Sequence, residues 1–320
     1  MKDSIDKKKI EETLAYLRSV PYDVRPSRLY DAATLYAGYD YTCDSGFDEC
    51  YDSRIYRHYL QCGKHTDDVS ETFARTLHDY AIGVALDKFL DGYDRRHCVG
   101  VMGGHALSRT DVMYAEIARI SKTLTERGFL MLGGGGPGAM EATHLGAWMA
   151  GRSEAELDDA LGILAAAPTY RDAGWLATAF TVIKRYPQST YASLGIPTWL
   201  YGHEPSTPFA THIAKLFENS IREDNILTFA YGGVIYAPGS AGTMQEIFQD
   251  AVQNHYLSFG FSSPMIFLGR EYWTSEMPVY RLLKHLEERG RYKNLLLTLT
   301  DEREEIVRTL TDFSEKVYSE

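Results

Sequence analysis

Residues 238–246 read Pro238-Gly239-Ser240-Ala241-Gly242-Thr243-Met244-Gln245-Glu246 and decide the fold. The apolar run 234–237 predicts a buried strand before them, and apolar residues at helical spacing predict a helix after them. A glycine turn between strand and helix makes an anion site, because backbone N–H groups converge there and the first helical turn carries partial positive charge. Glu246 lies one turn into the helix, opposite the apolar stripe, and we expect it to face a cleft or solvent. A phosphate cradle beside a carboxylate indicates chemistry on a phosphorylated substrate.

The same stretch supports a purely structural alternative. Thr243 and Glu246 have the spacing of a capping box, in which the threonine caps the helix and the glutamate bonds back to the cap amide. In that case Glu246 stabilises the helix and takes no part in catalysis. Both interpretations are open from this stretch alone.

Composition and charge restrict the class of protein. The 320 residues suffice for one large domain or two modest ones, and 44% hydrophobic with 24% charged content is ordinary for a globular chain. The net charge of -11, without a long basic run, argues against a nucleic-acid polymer as partner. No run of about 18 apolar residues indicates a membrane span, and the charged segment Met1 to Tyr16 predicts a polar helix rather than a signal peptide. We therefore expect a cytoplasmic protein.

The four cysteines raise the question of a metal. Cys98 falls in a predicted buried strand. The other three lie near two histidines and are conceivable zinc ligands: Cys43, Cys50 and Cys62, with His58 and His65. Their spacing matches no CxxC-type pair, so free thiols in a reducing compartment are favoured. We expect no metal and no cofactor.

Residues from about 97 onward alternate apolar runs with amphipathic stretches. This pattern predicts an α/β fold, a Rossmann-like doubly wound parallel sheet with helices on both faces. The strands are expected at 98–102, 129–132, 161–166, 198–201, 234–237, 265–268 and 295–299, and two of the later helices at 209–226 and 279–288. Residues 1–95, rich in Tyr, Asp and Arg with one good helix from Ser70 to Gly92, form a mainly helical extension. The predicted domains are therefore 1–95 and 96–320.

Two glycine-rich turns, at 133–138 and 239–242, follow strands and precede helices, where doubly wound sheets bind ligands. Gly133, Gly135 and Gly138 fit GxGxxG, which is typical of dinucleotide sites. The acidic residue expected for a ribose is missing, because the next predicted strand ends Ala165-Ala166-Ala167-Pro168. An NAD-dependent oxidoreductase is therefore disfavoured, and glycine turns are also common as plain tight connections.

Together these motifs resemble the LOG family of cytokinin-activating phosphoribohydrolases and the related nucleotide 5′-monophosphate nucleosidases, once labelled lysine decarboxylase-like. PGGxGTxxE corresponds to 238–246, GGGxxGxM to 134–140, and the upstream arginine to Arg222. The turn at 103–106 is closer to the larger nucleosidases. The resemblance covers about 97–310 and leaves out 1–95. Ser240 departs from the second glycine of the motif, and Glu223 stands where LOG proteins usually have lysine.

The resemblance implies hydrolysis of a nucleoside 5′-monophosphate to free base and ribose 5-phosphate. Glu246 would stabilise the positive ribose centre and activate water, with Arg222 ion-paired to it or contacting phosphate or base. The remaining nucleotide contacts would come from Gly239, Ser240, Gly242, Thr243, Gly104, Gly136, Gly138 and Met140. A homodimer or higher homo-oligomer is expected. The alternatives are a non-catalytic nucleotide-binding protein on the same fold and, for Arg222, a helix arginine paired with Glu218 or Glu223. No lysine stands out for Schiff-base chemistry.

Overall fold

The computed structural model describes residues 7–201 and 205–316 of the chain. These residues form a parallel seven-stranded sheet in the order β4-β3-β2-β1-β5-β6-β7. The strands are β1 (Cys98–Met102), β2 (Leu130–Gly133), β3 (Ser193–Gly195), β4 (His212–Ile213), β5 (Gly233–Tyr236), β6 (Pro264–Leu268) and β7 (Leu296–Thr300). The helices are α1 (Lys7–Ser19), α2 (Ala32–Leu35), α3 (Tyr51–Cys62), α4 (Val69–Leu90), α5 (Val112–Glu126), α6 (Ala139–Trp148), α7 (Glu154–Leu164), α8 (Trp175–Arg185), α9 (Asn219–Phe229), α10 (Ala241–Tyr256), α11 (Val279–Glu288) and α12 (Arg303–Glu315).

The central strands are continuous apolar runs because helices cover both faces of the sheet. Every residue of β1, β2, β5 and β6 is buried, and the side chains on the two faces belong to two hydrophobic clusters. The strand order runs outward in both directions from the β1–β5 pair, where Val99 lies opposite Gly233. The chain connections leave this point on opposite faces and open a crevice at the carboxyl ends of the strands. The predicted Rossmann-like α/β fold is confirmed.

Three predicted elements are wrong. Residues 161–166 lie mostly in α7, which a capping box starts: the Ser153 side chain accepts from the Glu156 amide, and Glu156 bonds back. Residues 198–201 form no strand, since Thr198 makes one isolated bridge before the chain turns. The predicted helix 209–226 is instead β4 followed by α9.

The segment before the sheet is mainly helical where it is described, and it shares the core of the sheet. Tyr30 exchanges backbone hydrogen bonds of 2.9 and 2.8 Å with Ile213 of β4. Asp52 of α3 forms a buried ion pair with Lys215, at 2.8 Å, and accepts a hydrogen bond from the Trp199 indole. Residues 1–6 of the predicted polar helix lie outside the described residues. The domain boundary at residue 95 stays a prediction.

Membrane insertion through a helix has no candidate in the described part of the chain, where each helix is either too short or too polar to cross a bilayer.

Candidate functional site

A cavity of about 360 Å³ opens in the crevice at the carboxyl ends of β1, β2 and β5. This volume is typical of a small-molecule site. Eight of the ten sequence-predicted site residues line the cavity: Glu246, Arg222, Ser240, Gly242, Thr243, Gly104, Gly136 and Met140. The other two, Gly138 and Gly239, are absent from its lining and act behind it.

Helix α10 presents its N-terminus to this cavity. Ser240 is the N-cap, and the first helical hydrogen bond runs from the Met244 amide to the Ser240 carbonyl, at 3.0 Å. The amides of residues 241–243 therefore precede the helical ladder and leave positive partial charge at the cavity wall. Thr243 lies inside the helix and caps nothing, so the capping-box alternative for Thr243 and Glu246 is wrong.

Glycines at the site serve two distinct purposes. A side chain at Gly239 would collide with the Thr243 hydroxyl, so this glycine lets the turn pack on the helix. A Cβ at Gly242, by contrast, would meet no atom within 4 Å. The absence of a side chain at Gly242 therefore leaves space for a ligand beside the α10 amides.

The three glycine turns are joined by backbone hydrogen bonds. The Gly104 amide donates to the Pro238 carbonyl, at 2.9 Å, and the Ala139 amide donates to the Gly104 carbonyl, at 3.1 Å. Gly138 has a φ of +68°, and a side chain there would collide with Gly104 O. This glycine closes the turn from behind. The Tyr272 hydroxyl adds a hydrogen bond to the Gly239 carbonyl, at 2.5 Å.

Glu246 is half-buried at the cavity wall. Burial raises the pKa of Glu246 to about 7, with the nearby Arg222 acting to lower it and Glu223 acting to raise it. A carboxyl group with a pKa near neutrality suits general acid–base chemistry. Such perturbed groups concentrate at functional sites.

Arg222 is buried and lines the same cavity, and its ion pair is one of the alternatives that the sequence left open. Among the described residues its carboxylate partner is Glu223, at 3.2 Å from Nη2 to Oε1, rather than Glu246. Its Nε also donates to the Asn219 side chain, at 2.8 Å. Because Glu223 follows Arg222 on α9, the neighbouring carboxylate takes the guanidinium. Arg222 acts on Glu246 through its charge rather than through a direct bond.

Several lining residues were not selected from the sequence as site residues. These are His105, Pro197, Thr198, Tyr201 and Glu223, along with Gly103, Gly134 and Ala241. Three of them come from the connection after β3, a strand that the sequence pattern did not reveal. His105 lies within the glycine turn at 103–106, and its place in that turn was the signal available from the sequence.

A buried ion pair supports the loop that follows β1. Arg109 binds Glu141 of α6 through two bonds, 2.6 Å from Nη2 and 2.8 Å from Nε, and the Tyr114 hydroxyl donates to the same carboxylate at 2.9 Å. Glu141 follows Met140 in the chain, so this network fixes the start of α6 against the loop. Its role is to position the cavity wall.

The argument against a dinucleotide site was based on the end of the predicted strand 161–166, which is not a strand in the structure. The strand that follows β2 is β3, and it continues as Ile196-Pro197. This strand end also lacks the carboxylate that would bind a ribose hydroxyl. The argument against a dinucleotide site therefore holds for the correct strand.

No protein-family model matches the chain, and no curated protein matches it. Among solved structures, it is similar to a molybdenum cofactor binding protein from the phototrophic bacterium Rippkaea orientalis, at 14% identity and a TM-score of 0.42 over 67% of this chain and 95% of that chain. It is also similar to the Chlamydomonas reinhardtii Moco carrier protein, at 14% sequence identity and a TM-score of 0.42, over 68% of this chain and 98% of that chain. The structural genomics target TM1055 is similar at 16% sequence identity and a TM-score of 0.42, over 67% of this chain and 98% of that chain.

Proposed function

We propose that this protein is a nucleoside 5′-monophosphate N-glycosidase that releases free base and ribose 5-phosphate. One observation carries the proposal: Glu246 and the N-terminus of α10 line the same cavity, whose volume of about 360 Å³ suits a small molecule. The resemblance of the glycine motifs to phosphoribohydrolases supports the same assignment. The phosphate of a nucleotide could then bind at the α10 N-terminus while its ribose lies beside Glu246.

The phosphate would lie at the start of α10. The amides of residues 241–243 supply donors, and the open space over Gly242 admits an oxyanion close to them. The ribose would extend toward Glu246, and the base toward the lining residues Tyr201 and His105. Phosphate binding at a fixed point would place the glycosidic carbon at the carboxylate.

Hydrolysis breaks the bond between ribose C1′ and the base nitrogen while water adds to C1′. Positive charge develops on the ribose, and the Glu246 carboxylate beside it stabilises that charge. The same carboxylate accepts a proton from the attacking water, and the departing base nitrogen takes a proton from solvent, which Glu246 later resupplies. With a pKa of about 7, Glu246 is populated in its ionised form at neutral pH and can release the proton afterwards.

The test is incubation with a panel of nucleoside monophosphates and chromatographic detection of free base. Glu246→Gln should lower base release by at least about 100-fold, the usual scale for a proton-transfer group. Glu288→Gln is the matched control, because Glu288 is exposed and lies outside the cavity lining. Full turnover by folded Glu246→Gln protein would contradict the catalytic role.

A non-catalytic nucleotide-binding protein is the competing outcome of the same experiment. It would bind a monophosphate tightly while the wild-type chain releases no base. Free nucleosides should be far poorer substrates than monophosphates if the cradle contributes to the reaction, and equal rates would contradict the phosphate assignment. We also propose a homodimer or larger assembly, by analogy with LOG-like proteins, to be measured by light scattering.

A further inference from the structure

A second cluster of chemically active side chains lies outside the cavity, between α3 and α4. It contains His58, Cys62 and Glu71, and one potential ligand atom of each lies within 4.8 Å of the others. His58 and Cys62 are four residues apart on α3 and therefore share a helix face. Glu71 enters from the first turn of α4 with a fully buried side chain.

The spacing of these atoms fits a tetrahedral metal. His58 Nε2 lies 3.1 Å from Glu71 Oε2 and 3.5 Å from Cys62 Sγ. Zinc bonds of about 2.0–2.1 Å to nitrogen, 2.2 Å or less to oxygen and about 2.3 Å to sulfur place tetrahedral N and O roughly 3.3 Å apart, and S and N roughly 3.6 Å apart. These two distances lie within about 0.2 Å of their tetrahedral values, and the Cys62 and Glu71 ligand atoms lie within 4.8 Å of each other, close enough for one ion to contact all three side chains.

The surroundings hold the ligands in place. Arg75 Nε donates to Glu71 Oε1, at 2.7 Å, which fixes the carboxylate with its other oxygen toward His58. Tyr16 of α1 donates to that second oxygen, at 2.9 Å, and its hydroxyl lies 3.9 Å from Cys62 Sγ. Outer contacts of this kind orient metal ligands in known sites. The His58 side chain is 20% exposed, which leaves a route for an ion.

The chemistry of the three donors selects the ion. A thiolate, a neutral imidazole and a carboxylate together suit Zn²⁺, a borderline-soft cation that accepts mixed S, N and O ligands. The two anionic ligands neutralise its charge, which matters in a buried place. Binding would release the thiol proton of Cys62 to solvent.

We propose that His58, Cys62 and Glu71 bind one Zn²⁺ per chain, with the fourth position taken by the Tyr16 hydroxyl or a water. The ion joins α3 to α4 and, through Tyr16, to α1. This proposal departs from the expectation of no metal that the cysteine spacing gave. The alternative is a metal-free cluster in which His58 and Glu71 are simply hydrogen-bonded to each other.

The experiment uses the full chain after chelator treatment and titrates it with Zn²⁺ or Co²⁺. We expect one equivalent to bind, with Co²⁺ giving a thiolate charge-transfer band and the intense visible bands of a tetrahedral site. Cys62→Ser should abolish the charge-transfer band. His58→Ala should weaken the Zn²⁺ affinity by at least about 100-fold, because even residues that only hydrogen-bond to a metal ligand contribute about 10–100-fold to metal affinity. Zn²⁺ should also raise the melting temperature of the wild type.

Cys43→Ser and His65→Ala are matched controls, since both residues are exposed and lie outside the cluster. Unchanged binding in both controls supports the site, and a charge-transfer band that survives Cys62→Ser overturns it. Absence of stoichiometric binding overturns it as well. Should Cys62→Ser fail to fold, wild-type alkylation decides: Zn²⁺ should protect Cys62 while Cys43 stays reactive, and equal labelling of Cys62 with and without Zn²⁺ refutes the proposal.

Discussion

Replacing Gly242 separates ligand binding from helix stability, because the two should move in opposite directions. The position is exposed, lies in α10 and has no atom within 4 Å of a Cβ, so Gly242→Ala introduces no clash. Alanine in a helix is favoured over glycine by about 0.5–1 kcal/mol, and the unfolding free energy should rise by up to that amount. Helical Cβ atoms tilt toward the N-terminus, so the new methyl group points toward the proposed phosphate.

The loss of affinity follows from the hydrogen bonds that the phosphate would give up. Displacing it from one amide removes a charge-assisted bond that contributes about 1.5–3 kcal/mol, which corresponds to roughly a 10–100-fold weaker monophosphate affinity. Gly242→Val should weaken binding further, since its side chain fills more of the space. Calorimetric titration measures the affinity, and urea unfolding measures the stability.

Gly162→Ala is the matched control for Gly242→Ala. Gly162 is an exposed helical glycine in α7 with the same free space around a Cβ, and it lies outside the cavity lining. We expect a similar gain in stability with unchanged nucleotide affinity. If Gly242→Ala binds monophosphates as tightly as the wild type, the α10 N-terminus is not the phosphate site.

Three further predictions concern buried charge. Burial raises the pKa of Asp250 to about 7, so its ionisation is penalised in the folded state. The free energy of unfolding should therefore fall as pH rises from about 4 to 7. In urea unfolding, Asp250→Asn should raise the free energy of unfolding by at most about 4 kcal/mol at pH 8 and leave it unchanged at pH 4. The kcat/KM should rise with pH through about 7 if ionised Glu246 is the base, and a flat profile would contradict this. Asp52→Ala leaves Lys215 buried without its carboxylate partner and should lower the free energy of unfolding by about 3–5 kcal/mol in urea unfolding. The double variant Asp52→Leu with Lys215→Met, which removes both charges, should largely restore it.

The sequence was sufficient where local chemistry determines structure. The glycine turns and the apolar strands β1, β2, β5 and β6 were predicted close to their observed positions, because turn glycines and buried apolar runs act over a few residues. In α7 the sequence carries a local helix signal: Ser153 and Glu156 form a capping box, and Leu157, Ala160 and Leu164 recur at helical spacing on the buried face. The apolar run 161–166 alone did not distinguish a strand from a helix.

Elements that depend on distant partners were not predictable in this way. Strand β3 has three residues and includes a serine and a glycine, and pairing with β2 and β4 makes it a strand. Missing β3 also concealed the lining residues Pro197, Thr198 and Tyr201, which follow it. The ionic environment of Glu246 was equally inaccessible, because burial and the placement of Arg222 and Glu223 set its pKa only in the folded chain.

The departure of Ser240 from the glycine of the family motif has a structural explanation. Ser240 is exposed and has a φ of -111°, so the turn does not place it in the left-handed region that favours glycine. Gly239 and Gly242 must each lack a side chain, for different reasons. A side chain at Gly239 would collide with Thr243, whereas one at Gly242 would enter the space proposed for the ligand. Serine is therefore tolerated at the one position of the three where neither packing nor the proposed phosphate site excludes a side chain. The two glycines therefore stand where the turn and the proposed phosphate site require them.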